Sequence, residues 1–258
     1  MVIDIDRARA PSFGLAEELA PFRSEWHAHG RHQILYTATG VLHLEIEAGT
    51  WLLPPRKAAW LCAGTRHRVS ADRPVALRTV YLAAEMLPEL DHDCRVFSVE
   101  PLAREMLLFA MRWDHESDPE DRTAGPFFRA FAALTAEWIE RNAHPYRLPT
   151  ARSPELSRAT AFILARLADP IGVEDAARAA GASTRTLARR FADELGTGFR
   201  EYLHAARMLR AMDLLAEPAA RVTDVALAVG FESPSAFSAA FSSFAGESPR
   251  GYRDGHAT

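Results

Sequence analysis

Hydrophobic positions along this chain change their spacing twice. From about Glu25 to Tyr81 they come in short β-rich runs, Ile34 to Thr37 and Leu42 to Ile46 among them, punctuated by Gly40, Gly49, Pro54, Pro55 and Gly64. Val41 to Glu47 alternates as a half-buried strand does, so this stretch predicts strands and tight turns. After Pro101 the spacing turns helical. Leu102, Met106, Leu107 and Phe109 mark one helix, and Phe127, Phe131, Leu134, Trp138 and Ile139 mark a second, with a polar loop from His115 to Gly125 between them. His144 to Pro154 carries three prolines in eleven residues, which opposes helix and predicts a linker. From Pro154 onward helical spacing returns, broken near Pro170, Gly181, Gly196, Pro218, Gly230 and Gly246.

The helical part repeats itself. Val173, Asp175, Ala177 and Gly181 match Val222, Asp224, Ala226 and Gly230 at an offset of 49. One residue is then inserted, and Ser183, Phe191, Gly196 and Tyr202 match Ser233, Phe241, Gly246 and Tyr252 at an offset of 50, with Leu187 answered by Phe237. Each copy predicts a short helix, a glycine turn and a second amphipathic helix opened by a serine N-cap. Asp175 and Asp224 sit in first helical turns, where negative charge suits the helix dipole. Ala177 and Ala226 are small where two helices would cross. Phe199 to Leu215 reads as the helix joining the copies.

Gly230-Phe231-Glu232-Ser233, followed by Phe237, Phe241, Gly246, Pro249, Tyr252 and Arg253, resembles the C-terminal signature of the AraC/XylS family of transcription regulators. The resemblance covers roughly Ser157 to Arg253. It implies two helix-turn-helix units whose second helices enter successive major-groove faces of double-stranded DNA. The positions this assigns to DNA are Ser183, Thr184, Arg185, Ala188, Arg189 and Arg190 in the first unit, and Ser233, Ser235, Ser238 and Ala239 in the second. Arg185 and Arg189 are four apart and share a face, from which an arginine can fork onto guanine O6 and N7. Arg190 is balanced between DNA contact and solvated surface. Where family members usually carry basic residues in and after the second reading helix, this chain has Ala240 and Ser242. The first unit is therefore expected to read sequence, and the second to position through phosphates and small-residue contacts.

His27-Ala28-His29-Gly30-Arg31-His32-Gln33, Gly40, then Gly49, Pro55, Gly64 and His67 resemble the two motifs of the cupin barrel. Alternating His27 and His29 would project from one strand face, and His67 would meet them from a neighbouring strand. With Gln33 as oxygen donor, that set suits a divalent transition metal, zinc, nickel or iron. Cupin enzymes normally carry glutamate where Gln33 stands, which puts catalysis in doubt more than fold. Many regulators of the family use such barrels to hold a small effector. Trp26, Tyr36, Trp51 and Trp60 are candidates to line that cavity, against the alternative that they are ordinary core. His32, His43 and His92 have no spacing that assigns them a role.

Composition changes this picture little. All but one of the 30 basic residues are arginine, and the formal charge is −4, so net charge does not mark a nucleic-acid binder and local placement must. Cys62 and Cys94 are far apart and expected to be reduced thiols. No run is long and apolar enough for a membrane span, and the first residues lack the apolar segment of a signal peptide, which makes the cytoplasm the expected compartment.

The fold class expected is α+β and multidomain: a cupin-like β-barrel over 1–98 and a helical packing or dimerisation segment over 99–143, then a linker over 144–153 and an all-α double helix-turn-helix domain over 154–258. The function expected is a DNA-binding transcription regulator, not an enzyme, responding to a small molecule or metal, with a homodimer and RNA polymerase as implied partners. A cupin-type metalloenzyme with a helical appendage is the competing reading. The preserved N-capped repeat and Gln33 oppose it. An RNA-binding or structural module is a third, opposed because such helices suit the wide major groove of B-DNA.

Overall fold

In the computed structural model, residues 4–87, 94–141, 146–217 and 219–255 are described. His92, and the start of the expected linker at His144 and Pro145, lie outside them. So does Pro218. The chain divides into two compact units. One comprises residues 1–46 and 53–145, and the other comprises residues 47–52 and 146–258.

The first unit is built on antiparallel strands β1 (Phe13–Leu19), β2 (Phe22–Arg23), β3 (Arg31–Thr39), β4 (Leu42–Ile46), β6 (Lys57–Leu61), β7 (His67–Ala71), β8 (Val75–Ala83) and β9 (Cys94–Ser98); β5 (Gly49–Leu53) lies mostly in the second unit. One sheet runs β1-β8-β3-β6-β9, while β4 pairs with β7 and β7 with β2. Along β4 the expected alternation is present, Leu42, Leu44 and Ile46 being buried and His43 and Glu45 half-buried.

In β3 every residue from His32 to Thr37 is buried, because both faces of the strand are covered. Ile34 and Tyr36 share one face with Ala58, Trp60, Val80, Leu82 and Phe97, and this face packs on helices α1 (Pro101–Ala110) and α2 (Ala124–Arg141) through Leu107, Phe128, Phe131 and Trp138, with Trp113 from the segment between them. Burying each such large side chain stabilises by about 1.5–3 kcal/mol. Gln33 alternates to the opposite face, the one that meets His29. The two helices lie where their spacing put them.

In the second unit the expected linker is partly a strand. β10 (Arg147–Pro149) pairs antiparallel with β5, Arg147 opposite Trp51 and Leu148 opposite Thr50. Seven α-helices follow among the described residues: α3 (Pro154–Ala165), α4 (Val173–Ala180), α5 (Thr184–Arg190), which runs on as a π-helical turn over Phe191–Leu195, α6 (Phe199–Leu215), α7 (Val222–Ala228), α8 (Pro234–Ala245) and α9 (Pro249–Asp254). Leu156, Ile163, Ala177, Leu187, Phe191 and Tyr202 form the core of the first helical half. The repeat recurs in the packing: Phe191 and Tyr202 have ring centres 5.6 Å apart, and their counterparts Phe241 and Tyr252 are 5.4 Å apart.

Candidate functional site

Two helix-turn-helix units are present, α4 with α5 and α7 with α8. Gly181 and Gly230 turn each corner with φ of +67° and +77°, the left-handed region that glycine enters without a Cβ penalty. Ser183 caps α5 by accepting the Thr186 N–H at 3.1 Å, and Ser233 caps α8 by accepting the Ala236 N–H at 3.4 Å. Asp175 reaches back to the Gly172 N–H at 3.0 Å, and this bond holds its carboxyl below the usual carboxylate range. Leu187 and Phe191 anchor α5 from beneath, as Phe237 and Phe241 anchor α8.

The outward faces differ. On α5, Thr184, Arg185, Ala188 and Arg189 are exposed, and neither arginine makes an ion pair or hydrogen bond among the described residues. Two exposed guanidiniums on one face form a cationic edge. Arg190 is placed elsewhere. It is half-buried, 3.4 Å from Glu155 and 3.4 Å from Glu194, and so belongs to the packing of α5 against α3. Glu194 also accepts the Arg152 and Ser153 N–H groups at 3.2 and 2.9 Å, fixing the start of α3.

On α8 the corresponding edge is small and internally satisfied. Ser233 and Ser235 hydroxyls pair at 2.7 Å, the Ser238 hydroxyl donates to the Pro234 carbonyl at 2.8 Å, and Ala239 is exposed. The three arginines of residues 219–255 sit beside aspartates: Arg221 at 3.9 Å from Asp224, Arg250 at 3.6 Å and Arg253 at 2.7 Å from Asp254. The expectation for this unit is positioning through phosphates and small-residue contacts; among the described residues each of its arginines lies beside an aspartate.

In the barrel, the backbones of His27 and His67 exchange both hydrogen bonds, at 2.9 and 2.8 Å, which sets their rings 4.3 Å apart. His29 joins them, its ring 5.3 Å from His67 and 6.2 Å from His27. Each Nδ1 lies against a backbone carbonyl, those of Glu25, Arg31 and Thr65, at 2.9, 2.9 and 2.8 Å. A carbonyl only accepts, so each Nδ1 carries a proton. Burial lowers the pKa of His29 and of His67, the latter to about 4. His67 Nε2 is buried and unpartnered. His29 Nε2 lies 3.2 Å from the Gln33 side chain, whose other end lies 3.2 Å from the Tyr81 hydroxyl. The four expected metal residues are thus brought together. Even so, among the described residues no group of three or more His, Cys, Asp or Glu is arranged to hold a metal ion.

Tyr81 joins this cluster without a sequence motif to announce it, its ring 5.3 Å from His29. Glu17 interacts electrostatically with Tyr81, and burial raises its carboxyl pKa. The aromatic quartet expected around an effector is not assembled, which corrects that expectation. Tyr36 and Trp60 lie on the sheet face covered by α1 and α2, where Trp60 stacks on His32 at 4.7 Å. Trp51 belongs to the second unit, beneath Arg147 at 5.2 Å, and Trp26 is covered by Arg68 at 4.8 Å. No helix among the described residues is long and apolar enough to cross a membrane.

Comparison with known proteins agrees with both halves. A family profile described as an AraC-like ligand binding domain matches residues 10–192, and one described as a helix-turn-helix domain matches residues 176–255. The chain is 25% identical over 231 residues to the HTH-type transcriptional regulator NimR of Escherichia coli, covering 88% of this chain and 81% of that one. It is 33% identical over 102 residues to the putative regulator YkgA of the same organism, covering 40% of this chain and 43% of that one. Among solved structures, an AraC-type DNA-binding regulator from Chromobacterium violaceum matches at 31% identity over 41% of this chain and 94% of that one, with a TM-score of 0.39. ToxT from Vibrio cholerae matches at 13% identity over 95% of this chain and 97% of that one, with a TM-score of 0.40.

Proposed function

Since this chain belongs to the AraC family of DNA-binding transcription regulators, with an AraC-like ligand-binding domain ahead of its helix-turn-helix domain, we propose that α5 reads operator sequence in the major groove, with Arg185 and Arg189 as its base contacts. The observation that carries this reading is the pair of exposed, unpartnered guanidiniums on one face of a helix capped by Ser183 and anchored by Leu187. An arginine so placed presents its planar fork to guanine. The chain acts as a cytoplasmic regulator and not as an enzyme, in keeping with homologues that are regulators. It works as a homodimer through α1 and α2, where Leu102 and Phe109 stay exposed, and it addresses RNA polymerase from the DNA-bound state.

The effector binds beside His29, His67, Gln33 and Tyr81. The buried lone pair of His67 Nε2 favours an effector that supplies a hydrogen-bond donor or a cationic centre there. A second reading, a divalent transition metal (zinc, nickel or iron), draws support from Nδ1 anchoring of all three imidazoles, the outer-shell pattern of metal-ligating histidine. A metal would supply Lewis acidity and charge to the site. His27, His29 and His67 would have to shift from their present arrangement to hold it, with the Gln33 oxygen already beside His29 Nε2.

Selection of duplexes retained by the full chain from a random pool, at two salt concentrations, tests the DNA reading. An enriched motif whose strongest positions change in Arg189→Ala supports it, and an enriched motif unmoved by Arg185→Ala and Arg189→Ala overturns it. Elemental analysis of the purified chain tests the second reading. A stoichiometric metal that is lost in His29→Ala supports it, and no metal after refolding with zinc, nickel or iron ends it.

A further inference from the structure

Arginine placement within the C-terminal unit is lopsided. Residues 146–215 carry eleven arginines against eight acidic residues, whereas residues 219–255 carry three against four. Of those eleven, Arg152, Arg185, Arg189 and Arg200 have side chains without an intramolecular ion pair or hydrogen bond among the described residues, and all four are exposed. Others are engaged within the fold: Arg158 with the Ala180 carbonyl, Arg207 with the Leu167 and Asp169 carbonyls, Arg190 with Glu155 and Glu194.

The repeat makes one comparison direct. At an offset of 50, Arg200 in the first turn of α6 corresponds to Arg250 in the first turn of α9. Arg250 shares Asp254 with Arg253, and Glu247 stands three residues before it. A single exposed pair is a weak tether, so the decisive quantity is the local sign of charge, positive around α5 and negative around α8.

We infer that the DNA backbone is held by the first helix-turn-helix half alone, with Arg152 and Arg200 as phosphate contacts flanking α5, and that the second half docks without a cationic contribution. The inference rests on the reading that α5 faces DNA. It adds which groups neutralise phosphate, where the charge-dependent affinity resides, and that the duplicated half is electrostatically silent.

Non-specific binding is governed by counterion release, each neutralised phosphate contributing about 0.9 to the slope of log K against log salt. The test is fluorescence anisotropy of the full chain with a 30-bp duplex of mixed sequence, titrated across salt. Arg152→Gln and Arg200→Gln are each expected to reduce the slope by about 1, which makes the loss of affinity between 50 and 200 mM salt about 4-fold smaller. Arg250→Gln is expected to leave the slope unchanged. Asp254→Asn, which turns the local charge positive, is expected to steepen it. Equal slope losses in Arg200→Gln and Arg250→Gln overturn the inference, and so do unchanged slopes in both Arg152→Gln and Arg200→Gln. A thermal melt on each variant excludes misfolding, and the double variant Arg152→Gln, Arg200→Gln must lose about 2 in slope. Failure of the groove reading itself is separable: it appears as an unchanged selected motif in Arg185→Ala and Arg189→Ala, whatever the slopes.

Discussion

Arg190 lies 3.4 Å from Glu155, so the last arginine of α5 is tied into the packing of the protein itself. Arg189, one residue earlier and about 100° around the helix, is exposed and unpaired. Arg190→Ala is expected to lower the melting temperature, with a loss of about 1 kcal/mol or less, and to leave the selected DNA motif unchanged. A changed motif at unaltered stability would place Arg190 on the DNA instead.

Arg189→Ala is expected to cost about 1–3 kcal/mol in operator binding and to relax preference at one base position. Ser238→Ala should cost clearly less, because that hydroxyl already donates to the Pro234 carbonyl. Measured affinities for the selected operator check both variants. Equal losses would reject the dominance of α5.

Much of this arrangement was legible in the sequence, and the reason is physical. Gly181 and Gly230, Ser183 and Ser233, and Phe191 and Phe241 each perform a task that few residue types perform, so their recurrence at one offset exposes the duplicated unit. The histidines come together as the motif spacing suggested, but not on the expected strand face: His27 and His29 precede β3 in irregular backbone, and an isolated bridge between His27 and His67 brings them to β7. The aromatic quartet failed because β3 and β6 are buried on both faces. Without alternation, nothing along Ile34 to Thr37 says which residues face the helices and which the barrel interior. Strand β1 was missed since Glu17 interrupts its apolar alternation, and Tyr81 had no motif around it. The strand at Arg147–Pro149 was hidden by the prolines that bound it.

Acid should loosen the helical unit in a predictable sense. Glu194 lies below its ordinary value of 4.5, mainly through hydrogen bonds from Ser153, and Glu201 does so through the Gly198 N–H. A depressed carboxylate contributes stability that is present above the unfolded value and lost as pH falls through the folded one. Melting temperature is therefore expected to hold down to about pH 4.5 and to fall below it. Glu194→Gln should be less stable than the parent at pH 7, with the gap narrowing as pH falls below about 4.5. A gap that stays constant across this range would show that Glu194 acts through shape and not through charge.

Two glycines in the left-handed region separate backbone strain from crowding. A Cβ on Gly196 meets nothing within 4 Å, whereas a Cβ on Gly230 would sit 2.6 Å from the Leu167 carbonyl oxygen and 2.6 Å from an Arg207 nitrogen. Gly196→Ala should cost about 1–2 kcal/mol, the left-handed penalty alone. Gly230→Ala is expected to cost more, because it also displaces the arginine that ties down the loop before α4. Urea denaturation compares them, and equal losses would mean that Arg207 moves aside freely.

Carried over to the genome, the hydroxyl-and-methyl edge of α8 bears on how target sites drift. If α5 reads sequence as proposed, a base substitution opposite it removes a forked contact and is felt at once, while one opposite Ser235, Ser238 and Ala239 breaks no such bond. Most of the recognisable information in such an operator then sits in one half. Its other half is free to wander, and searches that weight both halves equally will overlook true targets.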